Sequence, residues 1–152
     1  MKQEYQRLPE LSPQHNELLR RLALYSATLG ATLGATSHKI GSFTRDVSLA
    51  SGTQVITGVG FQPKVVWFIS VYSSNISNGY DDGSSYVCQY VRGGLVNIGH
   101  VTTSFSIVAY ESSTIKYEGK IQSMDSDGFT ISWTKTGSPT GTLEVGYLAF
   151  KY

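Results

Sequence analysis

Cysteine occurs once in 152 residues, at Cys88. No disulfide can form within the chain, so its fold does not depend on an oxidising compartment. Charge is sparse as well. Asp, Glu, Lys and Arg make up 15% of residues, where about 25% is ordinary. The formal net charge is +1, and Lys and Arg form no stripe. Gripping a nucleic-acid backbone calls for a clustered basic excess, so nucleic acid is excluded as a partner. No apolar run approaches the roughly 18 residues of a membrane-spanning helix, and no membrane partner is expected. Arg20-Arg21 followed by Leu22 to Gly30 imitates a secretory leader. A long polar stretch comes first, however, and Thr, Ser and Gly dilute the run, so secretion is not expected.

Catalytic signatures are missing too. His15, His38 and His100 are scattered, and none stands at ligand spacing from Cys88 or a carboxylate. There is no Gly-x-Ser-x-Gly elbow, no phosphate-binding loop and no dinucleotide fingerprint. A triad assembled from distant strands leaves no trace in sequence order. A glycan hydrolase needs carboxylates paired across a cleft, about 5–9.5 Å apart, and 11 acidic residues offer few pairs. The expectation is a non-enzymatic protein with no metal and no cofactor. Cys88 lies in the strand-like Ser85 to Val91 and reads as a small buried side chain rather than a nucleophile.

What is present falls into two unlike parts: an arm, residues 1–40, and a head, residues 41–152. In the arm, Ser12-Pro13 is a helix start: Ser caps free amides and Pro fits the first helical position. Glu17 lies near the positive end of the helix dipole. Leu18, Leu22, Tyr25 and Leu29 follow at spacings of four, three and four and mark one apolar stripe. A tandem repeat, Ala27-Thr-Leu-Gly30 and Ala31-Thr-Leu-Gly34, stacks Leu29 over Leu33 if helical. Gly and Thr are poor helix formers, so the segment needs a partner to stay helical. A flexible linker fits the same composition. The stripe favours docking or self-association through Leu18, Leu22, Tyr25, Leu29 and Leu33.

The head reads as about eight short strands joined by Gly, Asn, Asp and Ser turns. Ile115, Tyr117, Gly119 and Ile121 alternate with Lys116, Glu118, Lys120 and Gln122; Phe129, Ile131 and Trp133 alternate with Thr130, Ser132 and Thr134. Asp125-Ser-Asp-Gly128 between them signals a hairpin. Val65 to Tyr72 and Leu143 to Tyr152 are apolar on both faces. A sandwich gives a strand one core face, so the second face needs another cover, and contact between copies supplies it. Leu148, Phe150 and Tyr152 are the interface candidates. Further strands are expected at Phe43–Leu49, Thr53–Gly58, Tyr86–Arg92, Leu95–Ile98 and Thr103–Glu111. The fold class is all-β, an antiparallel sandwich of jelly-roll or similar type.

Asn75 to Ser85 reads as the longest polar loop. Its Asn75, Asn78, Tyr80, Asp81 and Asp82 are candidates for holding Ca²⁺ or sugar hydroxyls, although the spacing is not that of a calcium loop. Turn chemistry explains Asn-Gly and Asp-Gly without a ligand. Asn75-Ile-Ser77 matches a glycosylation sequon. Ten tyrosines suit interfaces and sugar stacking, and also plain strand propensity.

Gly58-Val-Gly-Phe-Gln-Pro-Lys-Val-Val-Trp-Phe68 resembles a motif of tailed-bacteriophage structural proteins, a Gly-x-Gly-Phe-x-Pro-Lys followed by a hydrophobic run. Asp127-Gly-Phe-Thr-Ile-Ser-Trp133, the Lys-Thr-Gly-Ser-Pro turn and Val145-Gly-Tyr-Leu-Ala-Phe150 resemble their ending. The strand order is similar to that of H-type lectins, which are trimeric six-stranded sandwiches. The likeness spans residues 41–152. It implies a virion component assembled in the host bacterial cytoplasm, most simply a trimeric capsid decoration or cement protein. Its arm would grip the major capsid protein or another virion protein. The alternative it implies is a small tail-fibre or baseplate module that recognises host glycan.

Overall fold

The computed structural model describes Arg21, residues 38–91 and residues 100–152. The chain divides into Met1–Thr36 and Ser37–Tyr152, and the strands below belong to the second unit. The expected arm helix, with Leu18, Leu22, Tyr25, Leu29 and Leu33, lies outside the described residues, as does the expected strand Leu95–Ile98.

Ten strands occur among the described residues: β1 (His38–Asp46), β2 (Gly52–Thr57), β3 (Val65–Tyr72), β4 (Asn75–Asp81), β5 (Tyr86–Val91), β6 (His100–Thr102), β7 (Ile107–Ser112), β8 (Ile115–Asp125), β9 (Gly128–Thr136) and β10 (Thr142–Phe150). They form a six-stranded sheet, β1-β10-β3-β4-β5-β6, and a four-stranded sheet, β2-β9-β8-β7. Both are antiparallel. The all-β class is as expected. The head begins earlier than expected, because His38, Lys39 and Ile40, assigned to the arm, pair with Phe150, Ala149 and Leu148.

The two sheets meet over one core. Val66, Phe68 and Tyr72 of β3 and Leu143, Val145 and Tyr147 of β10 face Tyr117 and Ile121 of β8 and Phe129, Ile131 and Trp133 of β9. Phe129 sits at the centre. Its ring meets Phe68 at 5.7 Å and Tyr147 at 5.3 Å between centroids, both edge to face, the arrangement ring quadrupoles favour. The β8–β9 hairpin closes at Asp125 opposite Gly128, where the alternating pattern places it. Glycine is required at Gly119: in register with Trp133, a Cβ there would lie 2.5 Å from the indole.

The Gly-x-Gly-Phe motif is a structural joint. Gly58 and Gly60 hold φ of 80° and 86°, which glycine tolerates without strain. Their amides donate to the Asp127 carboxylate at 3.1 and 2.6 Å, and the Val59 amide donates to the Asp127 carbonyl at 3.2 Å. The loop after β2 is thereby tied to the β8–β9 turn, while Val59 and Phe61 enter the core.

Two expectations need correction. Asn75–Asp81 is not a loop but β4, between β3 and β5. Its inward side chains are small or polar, so the apolar half of the alternation is absent. These groups satisfy one another inside: Ser70 and Ser77 hydroxyls lie 2.6 Å apart, and the Val108 amide donates to the Ser77 hydroxyl at 3.2 Å. The expected strand Thr103–Glu111 is strand only from Ile107 onward, within β7, and β6 ends before it at Thr102. Between them the Ser106 amide and hydroxyl both donate to the Gly119 carbonyl, which draws the chain across to the other sheet.

Asp81 ties the sheets together. It is fully buried, and its carboxylate accepts from the Ile121 amide at 2.7 Å and the Gly83 amide at 2.8 Å. The Ile121 amide is free to do so because the β7–β8 ladder ends at Ile107 opposite Gly119, two residues before it. Asp81→Ala orphans both donors and should cost about 2–4 kcal/mol in urea denaturation. A change below 1 kcal/mol would refute the tie. Asp127 tests the pH dependence. The Gly60 and then the Gly58 amide hold its carboxyl below the usual range. Its contribution is therefore present above the unfolded carboxylate pKa of about 3.9 and lost as pH falls through the folded value. Asp127→Asn should lower the urea midpoint at neutral pH and flatten its decline in acid.

Candidate functional site

Side chains alternate across a strand, so the core's claim on one face of β3 and β10 sends the other outward. Trp67, Ile69 and Val71 are 46%, 55% and 44% exposed. Register aligns them with their neighbours in rows. Ile40, Leu148, Trp67 and Tyr80 form one; Ser42, Gly146, Ile69 and Asn78 the next; Thr44, Glu144, Val71 and Ile76 the third. Glu144 is the one charged residue in these rows. Gly146 presents no side chain, and a hollow of about 360 Å³ opens over it, walled by Ile40, Trp67, Ile69 and Leu148. The Trp67 indole donates to the Asn78 amide oxygen, which fixes one wall. Of the sequence-derived interface candidates, Leu148 and Phe150 lie half-buried on this face, and Tyr152 lies past the end of β10, 83% exposed.

The five ligand-loop candidates do not converge. Asn78 and Tyr80 point outward from β4, while Asp81 is buried between the sheets. Asp82 accepts from the Ser85 and Ser84 amides, bonds that lower its carboxyl below the usual range. Asn75 is half-buried, and its amide donates to the Tyr110 carbonyl. Asp81 and Asp82 thus serve the fold and its turn.

A second concavity escaped the sequence reading. It lies at the Ser73–Ser74 turn between β3 and β4, holds about 580 Å³, and is lined by Tyr72, Ser73, Ser74, Asn75, Glu111, Thr140, Gly141 and Thr142. The Tyr72 hydroxyl donates to the Thr140 carbonyl at 2.9 Å and lies 3.5 Å from the Glu111 carboxylate. Burial, and then Glu111, push that phenol upward in pKa. Three separated segments build this hollow, and only the Ser-Ser turn and the Gly141 bend hint at it in the sequence.

Reactive chemistry finds little footing elsewhere. Cys88 is buried, and desolvation pushes its thiol up to about 11, far from the thiolate a nucleophile needs. His100 stacks on Tyr90 at 5.2 Å between centroids. Among the described residues no group of three or more His, Cys, Asp or Glu could hold a metal ion, and no helix is long and apolar enough to cross a membrane.

No protein-family model matches the chain, and no curated protein is significantly similar to it. Among solved structures it is similar to a tailspike protein, gp49 from Acinetobacter baumannii bacteriophage Fri1, a capsular polysaccharide depolymerase. Identity is 13% and the TM-score 0.31, over 76% of this chain and 18% of that one. The chain therefore spans less than a fifth of that protein's length. Likeness at this level does not equate the two folds.

Adjacent residues of β3 separate the two faces. Phe68→Ala should cost about 3–5 kcal/mol of stability through the cavity it leaves. Ile69→Lys, one residue on, should cost under about 1 kcal/mol in dilute protein. Equal losses in chemical denaturation would mean that both faces are core.

Proposed function

We propose that this chain is a non-enzymatic structural protein of a tailed-phage virion. In this reading it self-associates through the outer face of the six-stranded sheet and attaches to the particle through residues 1–36. The outward apolar rows carry the reading. Four strands and three rows project roughly 400 Å² at ordinary strand spacings, and Ile40, Trp67, Ile69, Val71, Ile76, Tyr80 and Leu148 make more than half of their positions apolar. The phage-like motifs at Gly58–Phe68 and Asp127–Trp133 support the virion setting, although both serve the joint and hairpin of this fold.

The occupant we assign to the face is a second copy of this chain. A stable interface buries about 800 Å² per partner, twice the apolar rows, so the face by itself makes a weak joint. Attachment through the arm would raise the local concentration of heads and complete it. That division of labour suits a capsid decoration protein, where many copies sit side by side. A trimer is the copy number that the likeness to H-type lectins implies. A tail-fibre or baseplate position uses the same self-association, and electron microscopy of the native particle separates the two.

Sedimentation of the full-length chain should show association that grows with concentration, and Ile69→Lys or Leu148→Asp should leave single copies. A chain that stays single-copy at every concentration would overturn the interface. Deleting residues 1–36 should abolish particle binding while the far-ultraviolet strand signal persists. Full decoration by the truncated chain would overturn the attachment.

A further inference from the structure

We propose that the polar hollow at the Ser73–Ser74 turn is a binding site for a neutral saccharide. The inference is independent of the assembly reading, because these residues lie at a strand end and not on the outer rows.

The lining selects the ligand class. Hydroxyl, amide and carboxylate groups converge there from three segments: the turn after β3, Glu111 of β7, and the loop that leads into β10. Such a set donates to and accepts from sugar hydroxyls. About 580 Å³ falls within the range of small-molecule sites, about 300–1,000 Å³. Glu111 is the one charged residue of the lining, and among the described residues it has no ion pair. A carboxylate of this kind accepts two hydroxyls of a vicinal diol. No Lys or Arg lines the hollow, so a uronic or sialic acid would meet repulsion without compensation. A calcium ion needs six to eight oxygen ligands, usually with several carboxylates, and one is available.

The hollow is also held in shape. The Tyr72 hydroxyl donates to the Thr140 carbonyl, which joins β3 to the loop before β10 and places the phenol oxygen beside Glu111. Ser73 has φ of 55°, the one positive value outside glycine among the described residues. Ser73 is the first of the two residues that join β3 to β4, where a primed hairpin turn calls for positive φ and fixes the rim of the hollow. Gly141, at φ of 106°, has only the Tyr72 ring edge within 4.0 Å of where a Cβ would stand, so the floor stays open.

The test is saturation-transfer NMR on the full-length protein with maltotriose, lactose and chitotriose as neutral probes and trigalacturonate as the anionic one. At least one neutral probe should bind and trigalacturonate should not. Glu111→Ala should weaken that binding about tenfold, the effect of losing one charge-assisted hydrogen bond. Ser74→Trp should block the hollow and abolish it. Ile69→Lys should leave it unchanged, which separates this site from the outer face. Both altered positions are exposed, and an unchanged denaturation midpoint checks that each variant is folded. Failure of every neutral probe, equal binding of trigalacturonate, or full binding by both Glu111→Ala and Ser74→Trp would overturn the proposal.

Discussion

The pleat of the strand is the constraint on which the rest depends. Neighbouring side chains point to opposite sides, so each strand of a two-layer sandwich offers the core one residue in two. The core takes Val66, Phe68 and Tyr72 from β3 and Leu143, Val145 and Tyr147 from β10. Trp67, Ile69 and Val71 are then committed to the outside, whatever their own preference for water. An apolar outer face is thus the direct consequence of placing two doubly apolar strands side by side in the six-stranded sheet.

Polar ties hold the layers in place where apolar packing is thin. Beyond the aromatic cluster around Phe129, the inner face of β4 carries Ser77, Gly79 and Asp81. Dispersion and apolar burial contribute little at such positions. The hydroxyl pair of Ser70 and Ser77 and the Asp81 carboxylate supply directional bonds instead. No buried side-chain nitrogen or oxygen among the described residues lacks a partner, so these groups are compensated for their loss of water. Burial raises the Asp81 carboxyl pKa, while amide donors lower that of Asp127. The two carboxylates therefore pull stability in opposite directions as acid is added.

The molecule separates two surfaces of unlike chemistry. The outer rows are apolar and carry Glu144 as their one charge, which suits contact with an identical surface. The hollow beside Ser73 is polar and lies at a strand end, where loops from both sheets gather. The proposed association of heads through the rows and the proposed capture of a small polar ligand at the end place different demands on different residues.

Much of this was legible in sequence. Alternation placed Phe129, Ile131 and Trp133 inside and located the β8–β9 hairpin, because period two and an Asp-Ser-Asp-Gly turn are local signals. The double apolar character of Val65–Tyr72 announced an outward face. It could not say which set was core, because both halves of the alternation are greasy; the partner sheet decides by meeting Phe68 rather than Ile69. β4 was misread because its buried half is Ser, Gly and Asp, and only neighbours remote in sequence, Val108 and Ile121, make those residues suitable for an interior. The hollow was invisible because Tyr72, Glu111 and Thr140 are far apart along the chain. The order of residues alone determined the apolar strands and the surplus of apolar surface; folding decided β4, which surface and which polar groups meet, since contacts between sheets depend on distances that no local pattern records.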